Sequence, residues 1–410
     1  MKKAQLEWHV LLLVTLALVA FGLVMVYSAT SAPAALGGGD PTRYLLRQGA
    51  YALIGLTLLA LAARTNFRIW RKLAPTLLAG TLALCVLVLV VGNEVNGAKR
   101  WLSVGPAGFQ PSELAKIALA LWASAYLARR PAPKNLGELF KPIGLVAAVF
   151  CGLILLEPDL GTAICIAVVL GAVLLVAGTP LRTFAAAAGI AAFVAVVAVL
   201  AEPYRYQRLL AFRDPWQDAQ NTGYQPVQAL IGLGSGGVFG KGLGQGVQKI
   251  FYLPEAHTDM IFAIIGEELG LVGSTLVIAA YGAFAYAGLH VALACRDPFG
   301  KRLAAALTAL VSGQAVVNLA AVLGLAPLTG IPLPFLSAGG SSLVVTLLGV
   351  GILLNIASGG GKAIASVPDR GRRDGRARAA RARGGGGARR ARGGGDVRRV
   401  AGARRGSPRS

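Results

Sequence analysis

The chain has 410 residues, of which 55% are hydrophobic and only 14% charged, whereas a soluble domain averages about 25% charged. That composition excludes an ordinary soluble enzyme and leaves an all-α polytopic membrane protein. The net charge of +22 is unevenly placed: residues 362–410 carry sixteen Lys and Arg against three Asp, a net of +13. The chain therefore divides into an apolar body, 1–358, and a basic tail, 359–410.

Apolar runs long enough to cross a bilayer begin near residues 9, 47, 73, 111, 142, 160, 183, 259, 303 and 341, which predicts about ten transmembrane helices. The first run follows Lys2 and Lys3, is about 20 residues long and lacks a small-residue cleavage site, so it reads as a retained helix and not as a signal peptide. The run from Met260 to Cys295 exceeds one ordinary span; it reads as one tilted helix with an extension, the alternative being a kink at its glycines. Cys85, Cys151, Cys165 and Cys295 lie in apolar stretches without paired spacing, which argues against a disulfide framework or a zinc site.

Ten spans put Lys2, Lys3, Arg64, Arg68, Arg71, Lys72, Arg129, Arg130, Lys134, Lys141, Arg182, Arg296, Lys301, Arg302 and the tail on one side. The positive-inside rule makes that side cytoplasmic, with both termini inside. The opposite loops, near 30–46, 93–110, 157–160, 202–258 and 325–340, nevertheless hold Arg100, Arg208, Lys241 and Lys249. Cations on that side point to an anionic ligand there. The tail, rich in Gly, Arg and Ala, cannot bury enough surface to fold and reads as disordered. A polybasic segment just after a last span attracts anionic lipid or an acidic partner, a simpler reading than nucleic acid; the alternative is a merely solvated tail.

In the loop NGAKRWLSVGPAGFQPSELAK, residues 96–116, Glu113 and Lys116 share one helix face. They make either a structural ion pair or a ligand-facing pair. Trp101, beside Arg100, is either a site residue or an interfacial anchor. In EPDLG, residues 157–161, Asp159 reads as the cap of the next helix. GLGSGG at 232–237 fits a dinucleotide fingerprint only in letters, because no βαβ unit surrounds it. Residues 223–249 read instead as a Gly-rich re-entrant or interfacial segment lining a cavity.

In YLPEAHTDMIFAIIGEELG, residues 252–270, ionisable groups stand at the mouth of a span and inside it. A carboxylate at mid-bilayer costs about 2.5–3.5 kcal/mol and usually serves a pathway, a pair or a reaction. Asp259 is the sharpest candidate, its plain alternative being an N-cap. His257 is either an ordinary loop histidine or part of the same site. Glu267 lies about 12 Å farther along a straight helix, so it cannot act at the same atom; Glu267 and Glu268 are expected to pair with basic or backbone groups inside the bundle.

GLVMVYSAT, NGAKRWLSVGPAGFQPSELAKIAL, EPDLGT, QRLLAFRDPW, GVQKIFYLPEAHTDMIFAIIGEELGLVG and TGIPLPFLSAGGSSLV occur in order across residues 20–356. Together they resemble the SEDS family (shape, elongation, division and sporulation), nearer its division members than its elongation members. Ala338 departs from the pattern, which commonly has an aromatic there. The resemblance implies a peptidoglycan glycosyltransferase that polymerises lipid II on the outer face of the cytoplasmic membrane, at the division septum. Asp259 matches the family's motif aspartate and Trp101 its loop tryptophan. In that chemistry Asp259 suits a general base for the acceptor hydroxyl. Arg100, Lys249 and Arg208 suit neutralisation of the leaving undecaprenyl pyrophosphate, with His257 among the substrate-binding groups and Asp159 among the structural or substrate-linked charges. A divalent cation, magnesium or manganese, could share that task, although no ligand set is visible. The implied partners are a class B penicillin-binding protein transpeptidase and other division proteins. Two rival readings are a lipid II flippase, with Glu113, Lys116, Asp159 and Glu267 along its path, and a noncatalytic scaffold for a transpeptidase.

Overall fold

The computed structural model describes residues 2–359 apart from 38–39, 96–97 and 105–106; the basic tail expected beyond Gly359 lies outside the described residues. Three long helices open the chain: α1 (Lys2–Leu36), α2 (Arg43–Arg64) and α3 (Arg68–Val91). Three short strands follow, β1 (Asn93–Val95), β2 (Ala98–Val104) and β3 (Ala107–Phe109), and then α4 (Pro111–Leu127). The one-turn α5 (Leu136–Leu139) leads through a π-helical segment, Phe140–Gly144, into α6 (Leu145–Leu156). After α7 (Leu160–Ala177) and α8 (Leu181–Leu200) come two shorter helices, α9 (Pro203–Arg213) and α10 (Tyr224–Ser235). The body ends with α11 (Ile261–Ala294), α12 (Pro298–Val322) and α13 (Gly340–Ala357).

Among the described residues nine helical stretches are long and apolar enough to cross a membrane. The tenth expected run is α4, which at 17 residues carries Glu113 and Lys116 and is buried along most of its length. Its neighbours are proteinaceous, so its charges meet side chains in place of lipid. Local chemistry sets several boundaries. Pro111 opens α4, where a missing N–H costs nothing. Asp297 caps α12 by accepting from the N–H groups of Phe299 (2.9 Å) and Gly300 (3.1 Å), and Gly178 ends α7 at φ 89°.

Contacts sort the loops onto two ends of the bundle. At one end Arg68 pairs with Asp297 (3.2 Å), the Phe67 ring stacks on Phe299, and the Phe67 N–H donates to Asn355 Oδ1 (2.9 Å). At the other, the strands, the 157–159 turn, residues 203–260 and residues 328–338 meet; this is the end that carries the site.

Two expectations are corrected. Residues 93–110 are no plain loop but an antiparallel meander in the order β1-β2-β3, with Asn93 opposite Trp101 and Ser103 opposite Gly108. The long run from 261 is not one continuous helix: Gly270, at φ 65° and ψ −157°, breaks it. The Gly-rich segment fills that break. Lys241 and Gly242 donate their N–H groups to the carbonyls of Glu267 (3.0 Å) and Glu268 (2.9 Å). Leu271 and Val272 donate in turn to the carbonyls of Gly237 (2.9 Å) and Val238 (3.2 Å). Irregular backbone inside a membrane protein is tolerated where protein satisfies it, and here one irregular segment satisfies another. The approach requires glycine, since a Cβ on Gly236 would overlap the Gly266 carbonyl and one on Gly240, at φ 80°, the Glu268 backbone.

Candidate active site

Asp259 sits in the turn before α11, partly buried, where four pieces of chain converge. Its backbone carbonyl accepts from Asn318 Nδ2 of α12 at 2.8 Å, and the Thr258 hydroxyl lies 3.3 Å from its Oδ1. Gly330 faces Asp259 Oδ2 so closely that an added Cβ would come within 4.0 Å of it. Arg208 of α9, bonded through Nη1 to the Leu328 carbonyl (3.4 Å), supplies a favourable charge. Burial, reinforced by the Glu255 carboxylate, lifts the Asp259 carboxyl to about 6, against the pull of Arg208, its own backbone and Thr258. A carboxylate held there is mostly ionised at neutral pH yet more basic than an ordinary aspartate, which is what proton abstraction near pH 7 needs.

His257 stands edge-on to Tyr44, with ring centroids 5.1 Å apart, and its carbonyl accepts from the Ala338 N–H (2.9 Å). Burial lowers its pKa, outweighing the Glu255 carboxylate. Arg208 itself lines a mostly apolar cavity of about 240 Å³, with Phe212, Trp216, Leu230 and Leu328 on its walls together with the polar Thr222 and Gln225.

The other residues singled out from sequence are distributed more widely. Trp101 on β2 lies against Gly108 on β3, where a Cβ would come 3.4 Å from its ring. Arg100 bonds through Nε to the Glu157 carbonyl and through Nη2 to the Pro158 carbonyl, both at 2.7 Å. It ties the strands to the 157–159 turn. Asp159 caps α7, accepting from the Thr162 N–H (2.9 Å), the Thr162 hydroxyl (2.8 Å) and Gln110 Nε2 (3.1 Å). Glu113 and Lys116 form a buried ion pair at 2.9 Å.

Lys249 is a correction. Taken from sequence for a cation facing pyrophosphate, it is 3% exposed and donates to Glu268 Oε1 (2.7 Å) and Ser28 Oγ (3.1 Å). Glu268, 19 positions on, folds back beneath it, so its charge is spent inside the bundle. Glu267 is likewise enclosed, accepting from Lys241 Nζ (2.7 Å) and from the N–H groups of Val247 and Gln248 (3.0 Å each).

Three polar residues escaped the sequence reading. Glu157 is fully buried, with both carboxylate oxygens unpartnered among the described residues; burial and the Asp159 charge raise it to about 8 despite Arg100. Gln314 and Asn318 are buried amides on α12. Their spacing of four in an apolar helix was a legible signal, since it puts two amides on one face.

The site is thus a carboxylate within the electrostatic reach of a guanidinium that lines a mostly apolar cavity, set at one end of a helical membrane bundle. That arrangement defines a multi-pass membrane protein with a polar candidate site at a bundle end. Comparison places it further: the model of the family FTSW_RODA_SPOVE, described as "Cell cycle protein", matches residues 8–360. The chain belongs to this FtsW/RodA/SpoVE family. It is 43% identical over 352 residues to the "Probable peptidoglycan glycosyltransferase FtsW" of Geobacter sulfurreducens, covering 85% of this chain and 94% of that protein. The protein of the same name from Nitrosococcus halophilus is 44% identical over 349 residues, covering 83% and 89%. Among solved structures, a chain from "Structural coordination of polymerization and crosslinking by a peptidoglycan synthase complex" has a TM-score of 0.71 at 32% identity, covering 86% of this chain and 98% of that one. The Thermus thermophilus rod shape determining protein RodA has a TM-score of 0.63 at 32% identity, covering 84% and 95%.

Proposed function

We propose that this chain is a peptidoglycan glycosyltransferase that polymerises lipid II during cell division, with Asp259 as its general base. The observation that carries this reading is the placement of Asp259, a partly buried carboxylate in the turn before α11, tied to α12 by Asn318 and within the electrostatic reach of Arg208; family membership and the names of the relatives support it. Asp259 removes the proton from the acceptor sugar hydroxyl as its oxygen bonds to the donor's anomeric carbon. The bond from that carbon to undecaprenyl pyrophosphate breaks, and the pyrophosphate leaves with the electron pair. Arg208 supplies positive charge for it, and the apolar cavity alongside suits the first part of a prenyl chain. Charge neutralisation of this kind is commonly a large contribution to catalysis.

Among the described residues no three His, Cys, Asp or Glu cluster into an all-protein site for a magnesium or manganese ion; an ion arriving with the pyrophosphate would need only one or two carboxylates, of which this site offers Asp259. No step here passes through a metal.

The proposed setting is the cytoplasmic membrane at the septum, with both termini inside, the site end outward and a class B penicillin-binding protein transpeptidase as partner along with other division proteins. The tail adds attraction to anionic lipid. The flippase reading needs charged groups lining a path, whereas Glu113, Lys116, Asp159 and Glu267 are buried and bonded within the bundle. Purified protein incubated with lipid II tests the proposal: glycan polymer is expected, and its absence from well-folded protein would refute it.

A further inference from the structure

An amide buried in an apolar helix is costly unless its hydrogen bonds are made, so the partners of Gln314 and Asn318, each 2% exposed, carry information. Asn318 Nδ2 donates to two carbonyls at once, Asp259 and Ile331, at 2.8 Å each. One turn back on α12, Gln314 Nε2 donates to the next carbonyl in that loop, Pro332, also at 2.8 Å. The Gln314 Oε1 accepts from Lys116 Nζ (2.8 Å), and Lys116 donates to Glu113 (2.9 Å). A continuous polar chain therefore runs from the buried ion pair in α4, across α12, to the turn that bears Asp259.

The chain has a direction. An ammonium can only donate, so Lys116 fixes which end of the Gln314 amide faces it and leaves the NH2 for Pro332. The 331–332 backbone so held is the segment to which Asn318 ties Asp259. From the other side, the His257 carbonyl accepts from Ala338 (2.9 Å), and Gln48 Nε2 holds the Ser337 carbonyl (3.1 Å). A buried ion pair is weak evidence for stability, because an apolar pair of similar volume is often as stable or more so. What an apolar pair cannot do is orient an amide.

We infer that Glu113, Lys116, Gln314 and Asn318 form a positioning brace that holds the Asp259 carboxylate in register with residues 330–332 for proton abstraction. The inference rests on the polymerase reading. A misplacement of about 1 Å in a reacting group can cost about 100-fold in rate, so the brace acts on turnover and not on substrate capture.

Two variants separate positioning from stability. Gln314→Glu keeps an acceptor for Lys116 but loses the donor to Pro332. The double variant Glu113→Leu/Lys116→Met leaves no stranded charge, so it is expected to fold, yet frees the Gln314 amide. Initial rates of glycan formation from lipid II are measured against lipid II concentration, with thermal unfolding in the same detergent. The brace requires kcat to fall by roughly tenfold to 100-fold with KM within about twofold, in protein that unfolds well above the assay temperature. Either folded variant turning over at the wild-type rate would overturn it, as would failure of both to fold, which would make the chain a stability element. Wild-type protein that made no glycan would refute the polymerase reading instead.

Discussion

Replacing Lys249 with Met distinguishes a core cation from a substrate cation. Lys249 Nζ lies 2.7 Å from Glu268 Oε1, and the two side chains are 1% and 0% exposed. Removing one member of such a pair strands the other charge, at a cost of about 3–5 kcal/mol. Here Glu268 keeps the Ser28 hydroxyl, 2.8 Å from Oε1 and 2.7 Å from Oε2. A hydrogen bond to a charged group is worth about 1.5–3 kcal/mol, so the loss falls near the lower end, about 3 kcal/mol. At about 1.4 kcal/mol per decade this is roughly a 100-fold shift in the folding equilibrium. Adding Glu268→Leu is expected to restore most of that stability, because no charge is then left alone. The assay is unfolding of matched detergent-purified proteins at one scan rate, since irreversible unfolding makes midpoints rate-dependent, alongside KM for lipid II. A Lys249→Met protein of normal stability with a several-fold higher KM would refute the core assignment and return Lys249 to the substrate.

Three further outcomes are expected. Because Asp259 must be ionised to accept a proton and its carboxyl titrates at about 6, the initial polymerisation rate is flat above neutrality and falls about tenfold per pH unit well below 6; a flat profile from pH 5 to 8 in stable protein would contradict the base role. Gly240→Ala, which puts a Cβ into the Glu268 backbone at φ 80°, is expected to destabilise the protein by more than the roughly 1 kcal/mol of a tolerated glycine change, read as lower unfolding temperature and yield; an unchanged unfolding temperature would refute the inserted-segment packing. Truncation after Gly360 is expected to leave polymerisation intact while weakening binding to anionic vesicles at low salt more than at high salt, and equal binding by both forms would remove the tail's role.

The ten runs were legible because a bilayer demands apolar length, and Asp259 stood out because ionisable groups in such runs are rare. The break at Gly270 was not legible, since its freed carbonyls and N–H groups are satisfied by residues 237–242, some thirty positions away in a segment without regular pattern. Lys249 was misread for the same reason: a loop cation is visible in sequence, but the carboxylate folded beneath it is not. The strands at 93–109 escaped because β1 and β3 have three residues each, too few for alternation to register, and β2, AKRWLSV, does not alternate. Glu157 was visible in EPDLG, yet only the fold shows that Arg100 takes its carbonyl and leaves its carboxyl unpartnered among the described residues.

Asp259→Asn tests the central claim most directly. The amide keeps the size of the carboxyl and its backbone carbonyl remains available to Asn318, so folding is expected to be preserved while the base is lost. Purified wild-type and variant proteins, matched in amount and in unfolding temperature, are given lipid II, and glycan chains are measured over time. The expected result is polymer from the wild type and a loss of at least about 100-fold in the variant, the range of a general base; near-normal polymer from folded Asp259→Asn protein would contradict it.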